Sequence, residues 1–146
     1  MSASNAFETA ILQLILNNAA LANIGDASGL QPSAADGSLY VSLHTASPGE
    51  AGDQTTSEAT YTSYARVAVT RDGTGWSIAS GAASNAAEVA FPTATGGTNT
   101  ITHVGVGTAA SGAGNLLLYG ALDASLSVSN GVTPSFAIGA LDLTCE

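Results

Sequence analysis

Positive charge is nearly absent from this chain of 146 residues. It has no lysine, and Arg66 and Arg71 are its only arginines, against eleven carboxylates, so the formal net charge is -9. Proteins that bind nucleic acid need several Lys or Arg side chains to neutralise phosphates, and anionic membrane surfaces attract basic segments for the same reason. The composition therefore predicts neither a nucleic-acid partner nor a membrane partner.

Cysteine and long apolar runs are also scarce. Cys145 is the single cysteine, so no disulfide can form within the chain and thiolates cannot build a metal cluster. No stretch reaches the roughly 18 apolar residues that a membrane-spanning helix needs. No lysine or arginine precedes Arg66, so the basic region of a secretory signal is missing. We expect a protein that is made in a reducing cytoplasm, with Cys145 either packed in the last strand or exposed.

Hydrophobic residues make up 45% of the chain, which is enough for a core, but charged residues make up only 9%, against roughly 25% in soluble domains. The surface must therefore consist largely of Ser, Thr, Asn, Gly and Ala. Such a neutral surface favours close packing against other protein subunits. The alternative is an acidic domain without a partner that its net charge keeps dispersed.

The N-terminal residues 1–24 have the pattern of a helix, predicted over Ser2–Ala22. Asn5 is the predicted N-cap, with Glu8 three residues later. Apolar side chains recur at helical spacing at Phe7, Ile11, Leu14 and Ile15. The apolar stripe requires a partner surface, and we favour the chain's own sheet over a separate partner-binding arm.

Residues 25–38 form a polar linker, and residues 39–146 have the pattern of short strands. Leu39, Val41 and Leu43 alternate with more polar residues, and Asn130-Gly131 is a tight-turn signal. Leu116–Leu122 is apolar on both faces and is predicted to be central. Seven or eight strands predict a mostly β fold, a two-sheet antiparallel β-sandwich of jelly-roll or immunoglobulin-like type with an N-terminal α-helix. The predicted single core consists of Trp76, Ile78, Val89, Phe91, Val104, Leu118 and Phe136.

The histidines and carboxylates give weak signals for chemistry. His44 and His103 lack further ligands at metal-binding spacing, and strand parity predicts His44 to be a surface or hydrogen-bonded histidine. Glu50, Asp53 and Glu58 are candidates for a glycosidase pair or a calcium loop. They lie in one Gly-, Pro- and Thr-rich loop, which is a poor support for a catalytic pair. We predict no catalytic, cofactor-binding or metal-binding residue.

Arg66 is one of only two cations, so its partner matters. The simplest interpretation is an ion pair with Glu58 or Glu88 that closes the loop onto the sheet, because Arg and a carboxylate readily form a bidentate pair. The alternative is a contact with an acidic partner subunit.

Four blocks occur in a characteristic order: YVSLHTASPGEAGDQTTSEATYTSYARVAV (Tyr40–Val69), FPTATGG (Phe91–Gly97), TITHVGVGTAASG (Thr100–Gly112) and NLLLYGALDASLSVSNG (Asn115–Gly131). In this order the chain resembles a family of small bacteriophage virion structural proteins, which includes tail-fibre-like and capsid decoration proteins. The resemblance implies a structural protein of a virus particle and not an enzyme.

Within such a particle, small size and the lack of a fibrous repeat favour a capsid decoration or cement protein that binds the assembled head and stabilises it. Its expected location is the capsid exterior, after assembly in the host cytoplasm. Its expected partner is the major capsid protein or another virion protein, and homo-oligomers are compatible with this role. The predicted contact surface is the start of the helix with the small-residue loops Ala46–Thr60 and Ala109–Gly114. The alternatives are a tail-fibre or tail-tip component that contacts the host surface and, from another class, a polysaccharide hydrolase.

Overall fold

The computed structural model describes residues 3–144, so the prediction for Cys145 lies outside the described residues. The described chain contains one helix, α1 (Asn5–Leu16), and none of its helices is long and apolar enough to span a membrane. The strands, in chain order, are β1 (Ser38–His44), β2 (Val67–Thr70), β3 (Trp76–Ala79), β4 (Ala82–Asn85), β5 (Val89–Ala90), β6 (Asn99–Gly107), β7 (Leu116–Val128), β8 (Ser135–Phe136) and β9 (Asp142–Thr144).

The strands form three sheets. The largest has the order β2-β1-β6-β7, the second has the order β3-β4-β9, and β5 pairs with β8. The β1–β6, β6–β7, β3–β4 and β4–β9 pairs are antiparallel. The predicted mostly β class with antiparallel strand pairing and an N-terminal helix is therefore confirmed. The two-sheet sandwich of jelly-roll or immunoglobulin-like type stays a prediction.

The chain divides into two compact units. The helical unit comprises residues 3–38, Val69–Glu88 and 136–144, and the sheet unit comprises Leu39–Ala68 and Val89–Ser135. Of the seven predicted core residues, Trp76, Val89 and Phe91 are buried. The other four are half-buried, namely Ile78, Val104, Leu118 and Phe136. Because four of the seven are only half-buried, the expectation that all seven are buried is wrong. The predicted boundaries at residues 24 and 38 stay a prediction.

In the helical unit, the N-cap of α1 lies one residue before the predicted N-cap, and the helix ends earlier than predicted. Ser4, not Asn5, is the N-cap, because its hydroxyl accepts a hydrogen bond from the Phe7 amide at 3.4 Å. The helix ends at Leu16 and not at Ala22, because Asn18 has a φ of 50°, a left-handed conformation that Asn tolerates and a helix does not. The helix contacts β3 and β4, so its predicted packing on the chain's own sheet is confirmed.

A buried amide binds the backbone between β8 and β9 in the same unit. The Asn85 side chain donates to the carbonyls of Ala87 and Ala137 at 2.7 and 2.8 Å and accepts from the Leu141 amide at 2.9 Å. The two strands β8 and β9 belong to different sheets. Gly139, which lies between them, has a φ of 74°.

In the sheet unit, β1 is flanked by β2 and β6, and β7 forms one edge. The prediction that Leu116–Leu122 is central is therefore wrong. One face of β7 is half-buried and the other is exposed. Leucines on both faces of a strand are typical of a strand that is buried on both sides. An apolar strand at the edge of a sheet can have the same sequence pattern, so the pattern alone does not distinguish the two.

Candidate functional site: a polar cluster that fixes two loops

Two loops of the sheet unit meet through a cluster of polar side chains. The long loop comprises residues 45–66, which follow β1, and the short loop comprises residues 108–115, which join β6 to β7. The cluster consists of the side chains that link these loops to β1 and to each other. Its members are Ser42, His44, Gln54, Glu58, Tyr64 and Arg66.

The strongest interaction in the cluster is a bidentate ion pair at the end of the long loop. The Nε of Arg66 donates to the Oε1 of Glu58 at 2.6 Å, and its Nη2 donates to Oε2 at 2.8 Å. The two side chains are only 2% and 15% exposed, respectively. The hydrogen bonds from the guanidinium to Glu58 raise the pKa of Arg66. The predicted pairing of Arg66 is confirmed, with Glu58 as the partner.

Arg66 also holds the short loop. Its Nη1 donates to the Ala109 carbonyl and its Nη2 to the Gly112 carbonyl, both at 2.8 Å. One guanidinium therefore satisfies backbone acceptors near both ends of a loop that has little side-chain mass of its own. The planar arrangement of its five N–H donors makes this possible, and a lysine ammonium would not reproduce it.

Tyr64 joins the ion pair to the central strand. Its hydroxyl donates to the Oε1 of Glu58 at 2.9 Å and accepts from the Leu43 amide of β1 at 3.0 Å. Burial raises the pKa of Tyr64 far above its ordinary value, so the hydroxyl remains a donor. Its ring is stacked on Phe91, with centroids 6.3 Å apart, and meets Tyr61 edge-on at 5.3 Å.

Gln54 forms the second link between the loops and was not singled out from the sequence. Its side chain is fully buried. Its backbone amide donates to the Ala113 carbonyl at 2.9 Å, and its Oε1 accepts from the Ala109 amide at 2.9 Å. A Cβ at Gly107 or Gly114 would collide with the Gln54 side chain. These two glycines allow the Gln54 side chain to pack closely against the backbone. The small residues in and next to the short loop are therefore explained in part by packing within the chain and not only by contact with a partner.

His44 lies beneath the long loop. It is fully buried, so the surface alternative is wrong, while the hydrogen-bonded alternative is confirmed. Its Nδ1 donates to the Thr56 carbonyl at 2.8 Å, which leaves Nε2, 2.9 Å from the Ser42 hydroxyl, as an acceptor. Burial lowers the pKa of His44, so the ring is neutral. Strand parity placed His44 on the outer face correctly, but the returning loop covers that face.

The other histidine belongs to the neighbouring strand. His103 is the register partner of His44 in β6, and its Nδ1 lies 2.8 Å from the Thr102 hydroxyl. Across residues 3–144, no group of three or more His, Cys, Asp or Glu side chains is arranged to hold a metal ion.

The three candidate acids of the long loop have separate roles. Asp53 accepts from the amide and the hydroxyl of Thr55 at 2.8 and 2.6 Å, and these bonds lower its pKa. Glu58 is bound by Arg66 and Tyr64, whereas Glu50 is exposed. Asp53 thus stabilises a turn and Glu58 a loop closure. The bonds of Glu58 and Arg66 therefore fix the positions of two loops relative to each other.

Comparison with known families adds an independent finding. The model of a family described as Podophage GP4 fiber I protein gp80 matches residues 2–144. No curated protein matches the chain. The match includes both loops and every member of the polar cluster.

Proposed function

The chain belongs to the podophage GP4 fiber I protein gp80 family, and from this membership we propose that it is a non-enzymatic subunit of a phage fibre. Family membership makes it a structural protein of the bacteriophage virion. The name of the family supports the fibre, which was the alternative in the sequence-based prediction. Attachment to the capsid as a decoration protein was preferred there because of small size and the lack of a fibrous repeat, and it stays a prediction.

The observation that supports a structural role is the use of the polar cluster. Both oxygens of Glu58 bind Arg66, and the Tyr64 hydroxyl binds Glu58 and the backbone of β1. A catalytic carboxylate must reach its substrate within hydrogen-bonding distance, and Glu58 instead accepts three hydrogen bonds from Arg66 and Tyr64 of its own chain. The same bonds hold the long and short loops in fixed positions, which is what a surface that joins other virion proteins requires, because prior ordering lowers the entropy cost of association.

Immunogold labelling of intact particles tests the location. Antibodies against this chain should label the fibres and leave the head unlabelled. Label on the head alone would support capsid decoration and contradict the fibre proposal. As a control, particles that lack the chain should show no label at either place.

A hydrolysis assay tests the non-enzymatic part. The purified chain should not shorten cell-wall or capsular polysaccharide of the host. Hydrolysis that disappears in Glu50→Gln or Asp53→Asn, two substitutions of loop acids that retain shape while removing charge, would overturn the proposal and support the hydrolase alternative.

A further inference from the structure

The chain offers very few bonds to proteases that cut after lysine or arginine. Such enzymes select their substrates by binding the side chain before the cut bond in a specificity pocket. The chain has no lysine and only two arginines, so its bonds of this kind are the one between Arg66 and Val67 and the one between Arg71 and Asp72. Cleavage of the folded chain therefore depends on the accessibility of two guanidinium groups.

The guanidinium of Arg66 is engaged within the sheet unit. Its side chain is 2% exposed, and its nitrogens donate to both carboxylate oxygens of Glu58 and to two carbonyls of the short loop. The next residue, Val67, begins β2, which pairs with β1. A protease must reach the backbone of the bond as well as the side chain. Cleavage after Arg66 therefore requires the ion pair to break and the start of β2 to open locally.

The guanidinium of Arg71 is engaged within the helical unit. Its Nε and Nη2 donate to two carbonyls in the last turn of α1 at 2.6 and 2.8 Å, and its Nη1 donates to the Ser33 hydroxyl at 3.0 Å. The next residue, Asp72, begins a turn. Its carboxylate accepts from the Thr74 amide at 2.8 Å, and its carbonyl accepts from the Trp76 amide at 3.0 Å. The bond after Arg71 is therefore held by the end of α1 on one side and by this turn on the other.

The segments that a protease reaches most easily contain neither lysine nor arginine. Residues 22–28 and 30–37 are exposed, and exposed loops are the preferred sites of proteolytic nicking. Both arginines lie outside these segments, and each is bound by its own unit. Their positions therefore differ from those of an accessible cleavage site.

We propose that Arg66 and Arg71 are concealed cleavage sites, because the contacts of each guanidinium withhold the only two bonds of this chain that a lysine- and arginine-specific protease can cut. Each bond becomes available when its own contacts open. Cleavage after Arg66 then reports opening in the sheet unit, and cleavage after Arg71 reports opening in the helical unit. The proposal does not depend on whether the chain belongs to the fibre or to the head of the particle.

Limited digestion with trypsin tests the concealment. The folded chain is digested beside a synthetic peptide of residues 60–76, which contains both bonds without the tertiary contacts. We expect each bond to be cut at least about a hundredfold more slowly in the folded chain, because cleavage follows the small population in which the site is open. Ala27→Lys adds a lysine to an exposed loop, and rapid cleavage is expected there. Similar rates in chain and peptide, or resistance at position 27 in this variant, would overturn the proposal.

Two conservative substitutions test whether each arginine conceals its own bond. Arg66→Lys and Arg71→Lys retain a side chain that trypsin accepts, but an ammonium does not reproduce the guanidinium contacts. Relative to a peptide with the same substitution, Arg66→Lys should accelerate the initial cleavage at position 66 by about tenfold, the factor expected when hydrogen bonds to a charged group are lost. Cleavage at position 71 should remain nearly unchanged.

Arg71→Lys should give the reverse result, so each variant is the control for the other. Mass spectrometry of the first products identifies the bond that was cut. Equal acceleration at both positions in either variant would show that cleavage follows unfolding of the whole chain. No acceleration at the substituted position would show that the guanidinium contacts do not conceal the bond. Either outcome would overturn the proposal.

Discussion

Arg66 and Arg71 are the only arginines of a lysine-free chain, and they satisfy their donors in different ways. In the sheet unit, Arg66 binds a carboxylate with two of its nitrogens and two loop carbonyls besides. In the helical unit, Arg71 binds the carbonyls of Leu14 and Ile15 at 2.8 and 2.6 Å. It also donates to the hydroxyl of Ser33 at 3.0 Å.

The difference follows from burial. The Arg66 side chain is 2% exposed, and a buried cation requires a full opposite charge together with satisfied hydrogen bonds. Arg71 is half-buried, and its charge is balanced by the carbonyls at the C-terminal end of α1 without a carboxylate partner. The last four carbonyls of a helix lack intrahelical partners and carry a partial negative charge of about one half. The same residue type therefore closes a loop by ion pairing in one unit and caps a helix in the other.

The largest expected effect comes from removing the charge of Arg66. Arg66→Met should lower the free energy of unfolding by about 3–5 kcal/mol, because Glu58 is left with an uncompensated buried charge. Chemical denaturation measures this change. In Arg66→Met with Glu58→Met, the loss should be smaller than the sum of the two single losses, since the double substitution removes both charges.

Two controls sharpen this result. Arg66→Lys should retain part of the stability, because the charge remains while the bidentate geometry is lost. Additive losses for the two methionine substitutions would contradict a coupled ion pair.

A smaller effect is expected at Arg71. Arg71→Gln should cost about 1–2 kcal/mol, the range for a cation that binds the end of a helix in a partly buried setting. The helical signal in far-ultraviolet circular dichroism should fall with it. Asp36→Asn should have little effect, since Arg71 binds the backbone carbonyl of Asp36 at 3.3 Å and not its carboxylate. An Asp36→Asn loss as large as that of Arg71→Gln would show that Arg71 also depends on a carboxylate.

The smallest expected effect is a pH dependence of the free energy of unfolding, which His44 contributes in the sheet unit and Arg71 does not contribute in the helical unit. Burial holds the pKa of His44 below 6.5, so the unfolded chain binds a proton more readily than the folded chain. The stabilisation by neutral His44 is complete above about pH 6.5 and is lost as the pH falls toward the lowered folded value, with a slope of at most about 1.4 kcal/mol per pH unit. The carbonyls and hydroxyl that bind Arg71 do not titrate in this range, so its cap should not contribute to the slope.

Denaturation at a series of pH values from 7.5 down to 5 measures the effect of His44. His44→Gln should flatten the dependence, whereas His103→Gln should leave it in place. A slope that survives His44→Gln would assign it to another group.

The pairing of Arg66 was accessible from the sequence, because two cations among eleven acids leave few alternatives and Glu58 lies only eight residues away. The roles of Gln54, Asn85 and Arg71 were not. Buried amides in loops and at strand ends have no periodic pattern, and Arg71 reaches carbonyls 56 and 57 residues away along the chain. Backbone acceptors occur at every residue, so the sequence does not indicate which of them a distant side chain will bind.

The sequence by itself determined the β-rich class, the N-terminal helix, the neutral small-residue composition and the resemblance to phage virion proteins. These properties rest on local periodicity, turn residues and residue counts, which need no knowledge of distant contacts. Only the tertiary structure decided that β7 lies at an edge, that His44 is covered and that two glycines pack against Gln54. Each of these depends on where the chain returns after a loop, because a face or an edge is buried only when another segment occupies it.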